Sequence, residues 1–314
     1  MTSRTPERVL ITGATGFLGS WIVAALIDRN IPVIATDISD DHYRLDVLCP
    51  APPEGMVERR ICDITDAEAL DALIAETRPT GIIHLAALQI PVCREQPAAG
   101  AAVNVGGHIN IFEAARKHSI RRIIYTSSIA AKPRGPDNAP SNLYGVFKKT
   151  DEEIARIYWQ DHQMPSLGLR PYIVYGVGRD DGETSAITRA IQAAALGQEY
   201  EIPFATRSCF QYAGDIAEVF VRATRSDWEG ALLSDISDRV NSIDDVLDAI
   251  HTVVPGARVT GADRTRISPD AGFDTAALRQ VIGAWQETPL VEGVRRTVEL
   301  YRAIEARQQA AATV

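Results

Sequence analysis

Tyr144 and Lys148 stand four residues apart in Tyr144-Gly145-Val146-Phe147-Lys148, and Ser128 precedes Tyr144 by sixteen positions. On a helix, residues i and i+4 share one face. An ammonium beside a phenol favours the phenolate and brings its pKa down from about 10 toward neutral pH. Such a tyrosinate can take the proton of an alcohol as hydride leaves the same carbon, while a serine hydroxyl holds the oxygen. In isolation, Tyr and Lys at this spacing are ordinary helix-surface residues. The chemistry also needs a hydride acceptor.

A place for one is written near the front of the chain. The apolar run Arg8–Thr12 passes into Gly13-Ala14-Thr15-Gly16-Phe17-Leu18-Gly19 and then into the apolar helix Trp21–Ile27. The first glycine permits a tight turn, the second lets backbone amides approach a pyrophosphate, and the third allows close helix–strand packing. The helix N-terminus adds unpaired N–H groups and a positive dipole end. Gly13, Thr15, Gly16, Phe17, Leu18 and Gly19 are therefore candidate dinucleotide contacts. Glycine turns also arise for steric reasons alone, but strand before and helix after is the context a cofactor requires. Asp37 closes the next apolar run, Val33–Asp37, eighteen residues after Gly19. Its carboxylate can accept from both adenosine ribose hydroxyls and would repel a 2′-phosphate, which favours NAD over NADP. The bland alternative is a solvated turn aspartate. Arg44 reads as too far along to clamp a 2′-phosphate.

The elements that must position these residues alternate. Strands are predicted at Arg8–Thr12, Pro32–Thr36, Val57–Cys62, Gly81–Leu85 and Arg122–Ser127, each short and rich in Ile and Val. Helices are predicted between them, most clearly Ala98–His118, with Val105, Ile109, Phe112 and Ala115 as its buried stripe. A second long helix, Asn142–His162, should bury Phe147, Thr150, Ile154, Ile157 and Tyr158, and a strand Ser166–Val174 follows. Repeated strand–helix alternation implies right-handed crossovers and a parallel sheet covered on both faces. The expected fold is α/β, a Rossmann-type doubly wound parallel sheet over residues 1–175. Residues 176–314 should form a smaller, irregular substrate-binding region, some segments possible returns to the sheet, with helices near Ile243–Val254 and Pro289–Ile304.

Composition bounds the partners. The 314 residues are 46% hydrophobic and 23% charged, enough apolar material for a core without disulfides or structural metal. A formal charge of −9 and a pI of about 5.2, with no Lys/Arg cluster, argue against nucleic acid. Cys49, Cys62, Cys93 and Cys209 are scattered, which excludes a short-spaced metal or redox motif and suits a reducing cytoplasm. No run reaches the ~18 apolar residues of a membrane span, and Val9–Ile11 is broken too soon for a signal-peptide core. Met1–Glu7 and Gln308–Val314 read as frayed tails. His84 reads as a core histidine, His108 and His118 as helix-surface residues. Asp180-Asp181 and Asp244-Asp245 suit loop or helix-start positions better than a metal, and no metal is expected.

With these pieces in place, the chain resembles the extended short-chain dehydrogenase/reductases, specifically the NAD-dependent epimerase/dehydratase family. The matching pieces are Gly13–Gly19, Asp37, Asp63-Ile64, Leu85-Ala86-Ala87, Asn104, Thr126–Ser128, Tyr144–Lys148, Arg170-Pro171 and Phe210–Ala217, whose acidic residue is Asp215. The resemblance implies Asp63 and Ile64 at the adenine, and Leu85, Ala86 and Ala87 along the pyrophosphate and nicotinamide ribose. It adds Asn104, Pro171 and Ile173 to the cofactor contacts, gives Lys148 a bond to that ribose, and makes Tyr144 the general base. It also implies a homodimer joined by the two long helices. Ala101, Ala102, Val105 and Ile109, with Val146 and Phe147, make stripes wider than one contact needs.

Two departures bear on substrate. Nucleotide-sugar members commonly carry Asn at the position of Ile173 and Arg at that of Ser208, with Arg207 adjacent here. A diphosphate against Ile173 would lack its donor. The expected function is therefore NAD-dependent oxidation of a secondary alcohol on a sugar, sugar acid or polyol, with Arg179 and Arg207 as candidate substrate contacts; both could equally be surface charge. The alternatives are a nucleotide-sugar epimerase or dehydratase holding NAD tightly, and a non-catalytic NAD-binding sensor.

Overall fold

The computed structural model describes residues 7–133, 140–266, 268 and 272–312. Most of the expected N-terminal tail, Met1–Pro6, lies outside them. The chain forms two compact units, one within residues 1–171, 216–236 and 274–285, the other within 172–215, 237–273 and 286–314.

The first unit holds a parallel seven-stranded sheet. Its strands are β1 (Val9–Thr12), β2 (Val33–Asp37), β3 (Val57–Ile61), β4 (Gly81–His84), β5 (Ile123–Thr126), β6 (Ser166–Arg170) and, from much later in the chain, Ala231–Asp235. The spatial order is β3-β2-β1-β4-β5-β6, with Ala231–Asp235 beside β6. Chain order thus reverses between β1 and β4, where open α/β sheets leave a crevice at the carboxyl ends of their strands. β1 and β4 are buried at every position, as expected where helices cover both faces. Those helices are α1 (Phe17–Asp28), α2 (Tyr43–Leu48), α3 (Ala67–Thr77), α4 (Ile90–Glu95), α5 (Pro97–Ala101), α6 (His108–Lys117) and α7 (Leu143–His162). One core cluster packs Leu10, Ile34, Ile82, Ile123 and Tyr125 of the sheet against Leu70, Ile74, Ile111, Phe112 and Ala155 of the helices.

The predicted helix Ala98–His118 is continuous but not uniform: a π-helical stretch, Ala102–Gly107, joins α5 to α6. A π turn holds one residue more than an α turn, so everything after it is rotated. His108, read as a surface residue, is consequently buried, whereas Ile109, read as part of the buried stripe, is 37% exposed. α7 departs further from its apolar periodicity. Its buried residues are Tyr144, Gly145, Lys148, Asp151, Glu152 and Ala155, while Leu143, Val146 and Ile157 are each 42% exposed.

The segment expected as one strand, Ser166–Val174, is broken. β6 ends at Arg170, and β7 (Ile173–Tyr175) pairs in parallel with Phe210–Tyr212 in the second unit. Pro171 between them has no N–H for a ladder, and the Ile173 N–H donates to the Cys209 carbonyl at 3.3 Å. The second unit also pairs Glu199–Ile202 with Arg258–Gly261 and Arg207–Ser208 with Asn241–Ser242. Its last helix, Leu290–Ala312, runs through most of the tail expected to fray from Gln308.

Candidate active site

The glycine turn is built as its residues require. Gly13 has φ +71°, in the left-handed region, and a Cβ there would sit 2.8 Å from the Ala86 backbone nitrogen. A Cβ on Gly19 would lie 2.2 Å from the Gly13 carbonyl, which no backbone shift short of remaking the turn relieves. A Cβ on Gly16 meets only the Gly13 carbonyl, at 3.2 Å, and otherwise projects into open space. α1 begins at that point with no side-chain cap and no acidic residue in its first turn. An open cradle over an uncapped helix N-terminus fits a pyrophosphate.

Asp37 is not a free solvated carboxylate. It accepts from the Thr15 N–H at 3.1 Å and the Thr15 hydroxyl at 2.7 Å, tying β2 to the turn, and from the Ile38 N–H at 2.8 Å. Arg44, set aside as distant in sequence, reaches the Thr15 carbonyl at 3.4 Å because α2 folds back against α1. Asp63 caps its own turn through the Thr65 N–H at 2.8 Å, and Ile64 is buried against Gly107. Leu85 donates its N–H to the Thr12 carbonyl at 3.1 Å, so the Leu85–Ala87 segment follows the end of β1. Asn104, fully buried in the π-helical stretch, clamps Leu88: its side chain accepts from the Leu88 N–H at 2.7 Å and donates to the Leu88 carbonyl at 3.0 Å.

Ser128, Tyr144 and Lys148 converge on the carboxyl end of β5. The Lys148 ammonium donates to the Thr126 carbonyl at 3.0 Å and to Asp151 at 3.2 Å. Tyr144 packs on Ala130, and Gly145 approaches the Ala130 carbonyl so closely that a Cβ would stand 2.2 Å from it. That seats the start of α7 on the short turn Ile129–Ala131, which Ser128 opens by accepting from the Ala130 N–H at 3.1 Å. Asn142 caps α7 on the Gly145 N–H at 2.8 Å. Beneath, Glu152 accepts from the Ser127 hydroxyl at 2.6 Å and holds Arg170 by two bonds of 2.7 Å. His84, in β4, shares a 2.7 Å bond with the Thr12 hydroxyl, so it is a satisfied core residue.

Asp151 and Glu152 escaped the sequence reading because acidic residues three and four places from a lysine normally mark a solvated helix face. Of the remaining candidates, Pro171 follows Arg170 at the end of β6. Ile173 is buried in the second unit, presenting alkyl surface and a committed N–H. Arg179 reaches the Thr184 hydroxyl at 3.3 Å, and Arg207 is exposed beside buried Ser208, whose hydroxyl meets that of Ser268 at 3.1 Å. Asp215 accepts from the Thr288 N–H and hydroxyl at 2.7 and 2.6 Å.

The sequence profile of the NAD dependent epimerase/dehydratase family matches residues 9–232. The chain belongs to that family. NAD is accordingly its cofactor, and it is an enzyme of the extended short-chain dehydrogenase/reductase type. Among relatives, the UDP-glucose 4-epimerase of Mycolicibacterium smegmatis is 29% identical, over 94% of this chain and 98% of its own. Among solved structures, the Thermus thermophilus UDP-glucose 4-epimerase in complex with NAD superposes with a TM-score of 0.78 at 24% identity, covering 94% of this chain and 99% of that one. The L-threonine dehydrogenase of Clostridium difficile gives 0.81 at 20% identity, covering 96% and 99%. Those two likenesses establish the shared fold of this epimerase/dehydratase family member. No helix among its described residues is long and apolar enough to cross a membrane.

Proposed function

We propose that this family member oxidises a secondary alcohol on a sugar, sugar acid or similar polyol. The reading rests on the convergence at the end of β5, where Lys148 is anchored to Thr126 and Tyr144 is seated against the turn that Ser128 opens. NAD, held there, would supply the acceptor for the hydride of the alcohol carbon. Tyr144 removes the hydroxyl proton through its phenolic oxygen, so the C–H and O–H bonds both break and a carbonyl forms. Ser128 holds that oxygen, and Arg179 and Arg207 are the candidate anchors for an acidic substrate group. Gly13, Thr15, Gly16, Phe17, Leu18 and Gly19 would hold the pyrophosphate and Asp37 the adenosine ribose. Asp63 and Ile64 would border the adenine, with Leu85–Ala87, Asn104, Pro171, Ile173 and Lys148 toward the nicotinamide end.

The full-length likeness to a UDP-glucose 4-epimerase favours a second reading, in which NAD is retained and the sugar is reduced again on its other face. Buried Ile173 and Ser208 weigh against it, since Ile173 offers no side-chain donor and Ser208 no cation to a nucleotide diphosphate. The two separate cleanly in one assay. Net near-ultraviolet absorbance of NADH with a free sugar or sugar acid is expected. Interconversion of UDP-glucose and UDP-galactose without added cofactor, and no NADH from any free sugar, would replace the first reading with the second.

The assembly that goes with this reading is a homodimer formed through the helical run that ends in α6 and through α7, in a reducing cytoplasm suited to four free cysteines. Ile109, Leu143, Val146 and Ile157 expose apolar surface on those helices, and a patch of that kind is seldom left in water. Sedimentation should give twice 34.2 kDa; a clean monomer at micromolar concentration would refute the helical interface.

A further inference from the structure

Tyr144, Lys148 and Asp151 occupy positions i, i+4 and i+7 of α7, one stripe of the helix. All three are buried, Asp151 completely. A lysine enclosed this way faces a large desolvation penalty and tends to shed its proton. We infer that Asp151 is a positioning residue that keeps the buried Lys148 side chain charged and aimed at the cofactor ribose. The inference rests on the assignment of Lys148 to that ribose.

The contacts around the pair say why this role falls to Asp151. Lys148 spends one proton on the Thr126 carbonyl and one on Asp151 Oδ2 at 3.2 Å, leaving a third for a ligand. The titratable groups facing it are Asp151 and Tyr144 on its own helix, Cys93 on α4, His84 on β4 and His108 on α6. Burial keeps both histidines neutral, and it pushes the Cys93 thiol up, so none of these three elements supplies a balancing anion near neutral pH. Glu152, the other buried acid of α7, is committed to Arg170, Ser127 and Lys149; buried Tyr125 faces these two acids and is itself pushed far up by burial. Asp151 is thus the carboxylate free to balance Lys148. Burial raises the Asp151 carboxyl to about 6, with Lys148 opposing the rise. Burial alone would lower Lys148, but Asp151 and then Tyr144 outweigh it and hold the ammonium up.

Asp151→Asn keeps the size and an acceptor oxygen but removes the charge. NAD binding measured by calorimetry should then weaken with rising pH, by about tenfold between about pH 7 and 9, because an unbalanced buried ammonium deprotonates. The unmodified enzyme should stay flat over that range. Lys148→Ala serves as the reference. If it binds NAD as tightly as the unmodified enzyme, the ribose assignment fails. If it binds weakly while Asp151→Asn keeps the unmodified pH dependence, the role of Asp151 fails. Should Asp151→Asn not fold, the ¹⁵N resonance of Lys148 Nζ in the unmodified protein, assigned with Lys148→Arg, decides instead. An ammonium persisting through about pH 9 supports the inference, and a neutral amine there overturns it.

Discussion

Replacing Tyr144 with phenylalanine is expected to cut turnover by about 10²–10⁴-fold, the range that a positioned general base contributes. Tyr144 belongs to a buried cluster with Ala130 and Cys93, bordered by Leu88, Ile90 and Phe147, and phenylalanine keeps the ring that fills it. The hydroxyl is the only group lost, so NAD affinity and thermal midpoint should change little. Lys148→Ala should behave differently. It removes the anchor on Thr126 and leaves Asp151 as an unpaired buried carboxylate, so turnover, NAD affinity and stability should all fall. Single-turnover rates with NAD, alongside binding isotherms for the same variants, separate the two patterns. A Tyr144→Phe enzyme with near-normal turnover would remove the phenol from the mechanism.

The second large effect is expected in acid. His84 is buried against Thr12, and burial, then the nearby Lys148, lowers its pKa to about 3. His108 is lowered well below the usual imidazole value by burial first and then by His84 and Lys148. Its ring lies within 4.9 Å of both Phe112 and Tyr125, centroid to centroid, and the Asp151 backbone beside it opposes the shift without outweighing it. The unfolded chain binds protons at these histidines below about pH 6.5 while the folded chain does not. Their stabilisation is therefore present above about pH 6.5 and is lost as pH falls toward the folded values. Between about pH 7 and 5 the loss through His84 alone is about 2 kcal/mol. Asp151 acts in the opposite sense, since its raised pKa favours the folded state at low pH. Comparing variants cancels that contribution. His108→Phe fills the same aromatic pocket without a titrating ring, so it should show a smaller loss of urea midpoint between the two pH values. An unchanged acid loss in that variant would show that His108 does not carry it.

Much of this enzyme is legible one residue at a time. The order of β1 to β5, the turn Gly13–Gly19 and the ending of β2 on Asp37 follow from local rules. Short β-branched runs bounded by turns make strands, and only glycine tolerates φ +71° with another backbone 2.8 Å away. The i, i+4 spacing of Tyr144 and Lys148 likewise needs no tertiary information once α7 is granted.

What the tertiary structure decided is which face of each helix points inward and where late segments go. Periodicity assumes a uniform 3.6-residue turn and apolar burial. The π-helical stretch Ala102–Gly107 breaks the first assumption and sends His108 rather than Ile109 into the core. α7 breaks the second by burying Lys148, Asp151 and Glu152, because their charges are balanced within the fold by one another, by Arg170 and by backbone at the end of β5. The return of Ala231–Asp235 to the sheet beside β6 belongs to the same class. A strand's neighbour is chosen by hydrogen bonding and packing between segments some sixty residues apart, and no local pattern along Ala231–Asp235 records that choice.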